Sequence, residues 1–353
     1  MRVALDATPL AMSSGGLRRY VEELALALAR EFPEDNFTLV SDQLFHMSAE
    51  DLPPNLHNGA GPRNALERKW WLAGAALATK RDDADVFHGT NFEVPLLHLR
   101  PSVMTIHDLS PWKNREWHPR GTRAGRRTPL LIRLGLADAV ITPSQAVRRE
   151  VIETFCLAGD RVFAVPLAAS SAMSAAAPPR STKPYFLFAG TIEPRKNLGL
   201  LLNAWREVRK QFSVDLLIAG RTRGDGPALT EEPGLRLLGE VEDTQLAALY
   251  AGASAFIFPS FYEGFGLPVL EAMQCGAPVI VSRDAALREV AGQAALFGDT
   301  VTELADAMRA LLTNPELAAE QRRKGFSRVL EFSWRRTAEL TREVYKEAID
   351  RFA

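Results

Sequence analysis

The stretch FYEGFGLPVLEAMQCGAPVI, residues 261–280, indicates how the chain folds. The apolar runs at 253–260 and 278–282, on either side of its centre, have the length and character of buried strands. A proline that suits a first helical turn and a later Gly-Ala-Pro stop signal predict a helix over 268–275. The stretch therefore predicts a strand–turn–helix–strand unit, in which the two strands are parallel.

Two glutamates stand eight positions apart in this unit. Glu263 is expected in the loop that leaves the carboxyl end of a strand, and Glu271 about one turn into the helix. Either one alone could simply face water or complement the helix dipole. However, ligands bind at the carboxyl edge of open parallel sheets, and the glycines of EGFG let backbone N–H groups approach an anion. The combination indicates a site for a phosphorylated sugar.

Composition excludes several classes of protein. The 353 residues suffice for two domains, 46% of them are hydrophobic, and the net charge of −1 offers no electrostatic case for nucleic acid. Cys156 and Cys275 lack disulfide or zinc-site spacing, and both are expected to be buried thiols in a reducing compartment. The segment MRVALDATPL is interpreted as a first strand, and no uncharged apolar run is long enough to span a membrane. The protein is expected to be cytoplasmic, either soluble or peripheral on the inner face of the cell membrane.

Short apolar runs alternate with amphipathic segments along the whole chain, which predicts an α/β fold of two Rossmann-like domains with parallel sheets facing across a cleft. The domains are expected at 1–167 and 185–353, joined by a linker at 168–184, and the last helix could pack back on the first domain. The clearest helix is expected over 16–32. The expected strands lie at 2–7, 37–40, 85–89, 102–108, 139–144, 161–167, 185–190, 214–220, 235–240, 254–260 and 278–282.

The segment GTIEPRKN, residues 190–197, carries two adjacent cations, Arg195 and Lys196, where a strand ends and a helix is expected to begin. Two positive side chains and the free N–H groups of a helix start would converge there, which suits a diphosphate. A solvated basic helix start is the weaker interpretation, since cations at that end oppose the helix dipole.

These motifs resemble those of the retaining glycosyltransferases of family 4, which have the GT-B fold. The resemblance is carried by Glu263 and Glu271, which match the family's pattern of two glutamates separated by seven residues, and by GTIEPRKN, which matches its diphosphate-binding loop. SSGGLRRY at 13–20 and TIHDL at 105–109 stand where the first domain of the family carries a glycine loop and a histidine.

The resemblance implies a role for each matched residue. Arg195 and Lys196 would neutralise the donor pyrophosphate, Glu263 would hold sugar hydroxyls, Glu271 would accept the ribose hydroxyls, and His107 would contact the donor sugar. Catalysis is thus assigned to Glu263, His107, Arg195 and Lys196, with front-face attack and retention of configuration. The donor-binding set is Gly15, Gly16, Gly190, Thr191, Arg195, Lys196, Arg221, Val241, Phe265, Gly266, Leu267 and Glu271.

Gly15 and Gly16 allow a second interpretation, that of an ordinary tight turn between strand and helix. The dinucleotide fingerprint G-x-G-x-x-G and the Walker lysine motif are both absent from the sequence, so a nicotinamide dehydrogenase loses its main support.

The acceptor is the least defined partner. Residues 113–133 hold seven basic residues and one acid, with Trp112 and Trp117 near their start and Trp70–Trp71 earlier in the same domain. One interpretation is a site for a lipid diphosphate at an anionic membrane surface. The other is a solvated loop and helix face whose tryptophans pack into the core.

The resemblance favours a hexosyltransferase that uses GDP-mannose as its nucleotide-sugar donor, with UDP-glucose as the competing donor and a glycan or lipid-linked acceptor. A GT-B sugar epimerase or a non-catalytic nucleotide-sugar binding protein is the alternative class. No metal or other cofactor is expected. Asp83-Ala84-Asp85 resembles a manganese-binding D-x-D motif, but these acids precede a strand and should lie at the amino edge, away from the ligand side.

Overall fold

The structure is a computed structural model that describes residues 1–12, 15–47, 52–118, 121–173, 183–224 and 226–352. The chain divides into two compact units. The first comprises Met1–Leu167 with Ser333–Ala353, and the second comprises Ala168–Phe332. Each unit has the α/β organisation that the sequence predicts.

The first unit contains a parallel sheet in which seven strands are described. The strands are β1 (Arg2–Asp6), β2 (Asn36–Val40), β3 (Leu56–Asn58), β4 (Val86–Gly89), β5 (Ser102–Thr105), β6 (Ala139–Thr142) and β7 (Val162–Ala164). Their order in space is β3-β2-β1-β4-β5-β6-β7. Every residue of β4, β5 and β6 is buried, as expected for a parallel sheet that is covered on both faces.

Helices cover this sheet. They are α1 (Gly16–Glu31), α2 (Ala75–Arg81), α3 (Ser110–Lys113), α4 (Arg123–Arg133), α5 (Gln145–Phe155) and α12 (Trp334–Phe352). Helix α12 packs against α1 and against β4, β5 and β6, and it buries Tyr345 there. The prediction assigned residues 333–353 to the second domain, with packing on the first domain as the alternative. The structure groups them with the first unit, because the apolar stripe of α12 is buried against that unit.

The second unit contains a parallel sheet with six described strands in the order β10-β9-β8-β11-β12-β13. The strands are β8 (Tyr185–Ala189), β9 (Asp215–Ala219), β10 (Leu235–Gly239), β11 (Ala255–Phe258), β12 (Val279–Val281) and β13 (Ala295–Phe297). The helices are α6 (Leu198–Arg209), α7 (Asp243–Gly252), α8 (Leu267–Gln274), α9 (Ala285–Ala291), α10 (Val301–Thr313) and α11 (Pro315–Val329). Because β8 lies between β9 and β11, the loops that follow these three strands meet at the middle of the carboxyl edge.

Three expectations need correction or completion. The predicted strands do not include β3 and β13, which lie at the edges of the two sheets. Cys156 is exposed, because it ends α5 in the left-handed conformation, whereas Cys275 is buried as predicted. Of the predicted linker at 168–184, residues 174–182 lie outside the described residues, and the preceding residues belong to the second unit.

Candidate functional site

Arg195, Lys196 and Glu263 form a cluster of ion pairs at the carboxyl edge of the second sheet. The two cations follow β8 and the glutamate follows β11, and these two strands are paired neighbours. Glu263 Oε1 lies 2.6 Å from Lys196 Nζ, and Glu263 Oε2 lies 2.8 Å from Arg195 Nη1. Glu263 and Lys196 are each 7% exposed. The structure thus brings together three of the four residues to which the sequence analysis assigns catalysis.

Two further residues extend this cluster. Arg195 Nη2 lies 2.7 Å from Glu193 Oε1, and the other oxygen of Glu193 pairs with Arg223. The ion pairs form a chain of alternating charge in the order Lys196, Glu263, Arg195, Glu193 and Arg223. Its three cations and two carboxylates give these five residues one net positive charge. The sequence analysis missed Glu193 and Arg223, although Glu193 stands two positions before Arg195 in the quoted motif.

The backbone around the cluster is held by several hydrogen bonds. Phe261 N donates to Arg195 O at 2.9 Å, and Arg195 Nη1 donates to Tyr262 O at 2.6 Å. Lys196 Nζ lies 4.6 Å from the centroid of the Phe258 ring, within the range of a cation–π contact. The loops after β8 and β11 are therefore tied to each other by backbone and side-chain contacts as well as by the ion pairs.

Arg195 and Lys196 do not open a helix, which corrects the prediction. They lie in a short 3₁₀ turn, Pro194–Lys196, and α6 begins only after Asn197. Asn197 has φ = 54°, in the left-handed region that asparagine tolerates better than most residues, and this breaks the chain direction between turn and helix. The two cations thus precede the positive end of α6 and do not occupy its first turn.

The cluster fixes its own protonation. Burial alone would raise the pKa of Glu263, but the charges of Arg195 and Lys196 and the hydrogen bond from Lys196 lower it to about 2. Burial lowers the pKa of Lys196, and the negative charge of Glu263 opposes that shift. At neutral pH Glu263 is therefore ionised, and both of its oxygens face cations.

Glycines let the neighbouring loops approach closely. Gly220 has φ = 131°, and a Cβ there would lie 2.0 Å from Gly190 O. Beyond these glycines, Arg223 N donates to Ile192 O at 3.0 Å, so the loops after β8 and β9 run side by side. This arrangement places the Arg223 guanidinium next to the Glu193 carboxylate.

The glycine before α8, Gly266, also has no room for a side chain. Gly266 has φ = 107°, and a Cβ there would lie 2.7 Å from Leu287 Cδ2. Leu267 is the first residue of α8, while Phe265 is buried with its ring 5.9 Å from that of Phe332. The backbone N–H groups of Phe265, Gly266 and Leu267, which were predicted to approach an anion, therefore lie at the start of α8. They follow Glu263 and Gly264 directly in the sequence.

The remaining predicted donor residues lie at the same edge or nearby. Gly190 and Thr191 leave β8, Arg221 leaves β9, and Val241 follows β10. Glu271 is 2% exposed in the second turn of α8. Burial, together with the nearby charge of Glu271, raises the pKa of Cys275 to about 11.

Asp284 is a neighbour of Glu263 that the sequence analysis missed. Its Oδ1 accepts hydrogen bonds from Ala286 N at 3.0 Å and Leu287 N at 3.1 Å, and so caps α9. Burial raises the pKa of Asp284 to about 6, and the charge of Glu263 contributes to the increase. The pKa of Asp284 therefore lies close to neutral pH, beside a glutamate that stays ionised.

His107 belongs to the first unit and lies just beyond β5. Its Nε2 lies 2.7 Å from Thr90 O, so this nitrogen carries a proton and donates to the carbonyl. Burial lowers the pKa of His107, which keeps the ring neutral. The Tyr20 ring packs edge-on against it with 4.9 Å between centroids.

Of the predicted glycines, Gly15 caps α1 with φ = 113° and Gly16 begins the helix, while Ser13 and Ser14 lie outside the described residues.

A buried polar network underlies His107. His88 Nδ1 lies 2.8 Å from Tyr345 Oη, and His88 Nε2 lies 2.7 Å from Thr105 Oγ1, which in turn lies 3.0 Å from Tyr20 Oη. Burial lowers the pKa of His88 to about 3, so it is neutral. This network links β4, β5, α1 and α12. The sequence analysis did not find it, because a histidine inside an apolar run gives no sign of its partners.

Two motifs from the sequence analysis can be placed in the first unit. Asp83 and Asp85 precede β4 at the amino edge of the sheet, as predicted, and Arg2 pairs with both carboxylates. Trp70 and Trp71 are buried, as the core interpretation expects, whereas Trp112 and Trp117 at the start of the basic stretch are only half-buried. Across the described ranges there is no group of three or more His, Cys, Asp or Glu side chains placed to hold a metal ion. Nor does any helix in those ranges have the length and apolarity to cross a membrane.

The fold is that of GT-B glycosyltransferases. Sucrose-phosphate synthase from Thermosynechococcus elongatus superimposes with a TM-score of 0.72 and 20% sequence identity, and the match covers 98% of each chain. At this identity the likeness shows the fold, with two Rossmann-like domains that contain parallel sheets.

Sequence comparisons define the family. The model of glycosyltransferase family 4 matches residues 14–169, and that of group 1 glycosyl transferases matches 183–314. O-antigen chain mannosyltransferase B of Escherichia coli is 31% identical over 98% of this chain and the whole of that protein. MMP alpha-(1->4)-mannosyltransferase of Mycolicibacterium hassiacum is 30% identical over 80% of this chain and 75% of its own length. The chain belongs to glycosyltransferase family 4, as the motifs indicated, and is a glycosyltransferase.

Proposed function

We propose that the protein transfers a mannosyl residue from GDP-mannose, with retention of anomeric configuration, to a glycan or lipid-linked acceptor during cell-surface polysaccharide synthesis. The cluster of Lys196, Glu263 and Arg195 at the carboxyl edge carries the proposal. The similarity to two mannosyltransferases, one of them aligned along its whole length, supports the choice of sugar. The acceptor would be met at the inner face of the cell membrane.

In this proposal the two cations bind the donor diphosphate. An ammonium has three donor hydrogens and a guanidinium has five, so Lys196 and Arg195 can hold Glu263 and still donate to phosphate oxygens. The five cluster residues keep one net positive charge, which favours an anionic ligand. Negative charge increases on the leaving diphosphate as the glycosidic bond breaks, so these contacts strengthen in the transition state.

Glu263 is poorly suited to act as a base or nucleophile. With a pKa of about 2 and a cation against each oxygen, it has little tendency to take up a proton or to attack carbon. This supports front-face transfer, in which the bond from the anomeric carbon to the phosphate oxygen breaks and the bond to the acceptor oxygen forms on the same face. The leaving phosphate receives the proton of the acceptor hydroxyl. Glu263 then positions Arg195 and Lys196 and accepts hydrogen bonds from sugar hydroxyls.

The remaining roles follow from the state of each group. Because Nε2 of neutral His107 is a donor to Thr90 O, its Nδ1 is an acceptor and can receive a hydrogen bond from a donor-sugar hydroxyl. Glu271 accepts the ribose hydroxyls. The N–H groups at Phe265, Gly266 and Leu267 face the phosphate side of the donor.

Nucleotide preference is the first prediction. We expect GDP to raise the thermal midpoint of unfolding more than UDP, ADP or CDP, because GDP-mannose is the proposed donor. A ligand that binds only the folded state stabilises it by about 2.7 kcal/mol at 100 times its Kd. A thermal-shift series with the four nucleoside diphosphates measures this. A larger shift with UDP would favour the UDP-glucose alternative. The absence of any shift would contradict the nucleotide-sugar assignment, and GDP binding without sugar transfer would favour the non-catalytic alternative.

Independence from divalent metal is the second prediction. Arg195 and Lys196 already supply positive charge to the leaving group, so we expect turnover of GDP-mannose to be unchanged in excess EDTA. We also expect Asp83→Ala combined with Asp85→Ala to leave donor affinity unchanged. These acids pair with Arg2 at the amino edge of the first sheet, and solvent screens such exposed pairs, so the double substitution should also leave the fold intact. Loss of activity with the chelator and its recovery with manganese would contradict the prediction.

A further inference from the structure

Helix α4 presents an outer face that is both basic and apolar. Arg126, Leu130 and Arg133 are exposed and follow the three- and four-residue spacing of one helix face, and the exposed Leu134 continues it. Leu130 is 51% exposed and Leu134 is 54% exposed. This set of four residues, called the α4 face below, contains no acidic side chain.

The inner side of α4 is fixed to the body of the first unit. Thr128 Oγ1 donates to Phe92 O at 2.9 Å, and Arg123 Nε and Arg127 Nε lie 3.0 Å and 3.3 Å from Glu93 Oε1. Leu131 is buried. The exposure of Leu130 is therefore a property of a packed helix, and the α4 face points away from the core.

Additional exposed leucines lie beside the helix. Leu96 N donates to Trp71 O at 2.9 Å and Leu97 N donates to Leu72 O at 3.0 Å, while Arg127 Nη2 reaches Trp71 O at 3.5 Å. Leu72, Leu96 and Leu97 are 44%, 39% and 41% exposed. These contacts bring three leucines next to α4, one from the helical turn Trp70–Gly74 and two from the loop after β4, and Arg68 and Lys69, which precede Leu72, are exposed as well.

The charges on this part of the unit are not balanced. Glu93 is 5% exposed and is occupied by Arg123 and Arg127, and Glu67 is 8% exposed and pairs with Arg81. Arg126 and Arg133 have no acidic partner among the residues that the structure describes. The α4 face itself is thus positive, although the whole chain has a net charge of −1.

We infer that the α4 face and the neighbouring leucines form a docking surface for an anionic phospholipid bilayer. At a bilayer surface, leucines enter the boundary between headgroups and acyl chains while arginines bind lipid phosphates. An acidic protein could satisfy the cations, but it would not by itself account for leucines interspersed among them at single positions. Nucleic acid is disfavoured, since the exposed apolar residues here are leucines and offer no aromatic ring for base stacking.

This surface would place the first unit at the membrane where a lipid-linked acceptor resides, and in that respect it adds to the proposed function. It does not depend on the identity of the donor. Vesicle binding and GDP binding are separate measurements, so either proposal can fail while the other stands.

The test is co-sedimentation of the full chain with vesicles of phosphatidylcholine alone and with about 30% phosphatidylglycerol. We expect binding to the anionic vesicles only, weakened by salt. Arg126→Gln with Arg133→Gln should lower the partition coefficient about 30-fold, at about 1 kcal/mol for each cation. Leu130→Ala with Leu134→Ala should lower it about ten-fold or more through lost apolar insertion.

The matched control is Arg30→Gln with Arg236→Gln, which removes the same charge from two exposed arginines on α1 and β10. We expect this control to bind like the native protein, and thermal midpoints of all variants verify folding. Equal loss in the control and in the α4 variant would contradict a defined docking face. So would failure of the native protein to bind anionic vesicles, which would also leave an acidic protein as the better partner.

Discussion

Glu263→Gln should lower kcat for GDP-mannose by about 100-fold or more, while GDP binding is retained or strengthened. Both effects follow from the loss of the same carboxylate. The variant removes the carboxylate that we assign to the sugar hydroxyls and to the positioning of Arg195 and Lys196, which slows transfer. It also raises the net charge of the five cluster residues from one positive charge to two, which favours a diphosphate.

Steady-state kinetics and calorimetric titration with GDP test this prediction. Glu207→Gln is the matched control, since Glu207 is half-buried on α6 of the same unit and pairs only with Lys210 in the described contacts. Loss of a buried ionic partner can cost about 3–5 kcal/mol of stability, so rates are compared well below each thermal midpoint. Glu271→Gln should instead act mainly on KM. Full turnover in Glu263→Gln would remove Glu263 from the catalytic set.

Much of the framework could be predicted because burial leaves a local pattern. The strands from β4 to β6 and from β8 to β12 are apolar runs bounded by turn residues, and the structure has a strand at each predicted position with small changes at the ends. The helix over 16–32 was equally clear, and α1 ends one residue earlier. The edge strands β3 and β13 lack that pattern, since each buries only its first residue fully, Leu56 in β3 and Ala295 in β13.

The residues of the site could be predicted from the sequence, but the contacts between them could not. Arg195, Lys196 and Glu263 were placed at the ends of strands, which suffices for a common sheet edge. Their direct contact depends on β8 and β11 being neighbours, and 65 residues separate these strands in the chain. The link through Glu193 to Arg223 depends in turn on two glycine turns that pass close together.

Long-range partners explain most of what was missed. Tyr345 meets His88 from 257 positions away, and only the placement of α12 against β4 makes that contact. Asp284 caps a short helix, which is a local feature, but its proximity to Glu263 comes from the order of β11 and β12. Residues whose chemistry depends on such neighbours could not be assigned from sequence spacing.

Lys196→Met should weaken GDP binding by about 10- to 100-fold and leave guanosine binding nearly unchanged, because its proposed partner is the diphosphate. A hydrogen bond to a charged group contributes about 1.5–3 kcal/mol, and loss of the ammonium also brings the net charge of the five cluster residues from one positive charge to zero. Methionine is preferred to alanine, since its unbranched apolar chain can occupy the space over the Phe258 ring that the lysine stem fills.

Calorimetric titration with GDP, GMP and guanosine separates the diphosphate from the base, and GMP should lose less affinity than GDP. Lys210→Met serves as the control, since Lys210 directly follows α6, its side chain is 66% exposed, and its removal takes away the same charge outside the cluster. If the decrease came from general electrostatics, both variants would weaken GDP equally. If it came from a disturbed pocket, guanosine would weaken along with GDP. Only a loss confined to Lys196→Met, and increasing with the number of phosphates, agrees with an ammonium that binds the leaving group, and either of the other results would contradict that role.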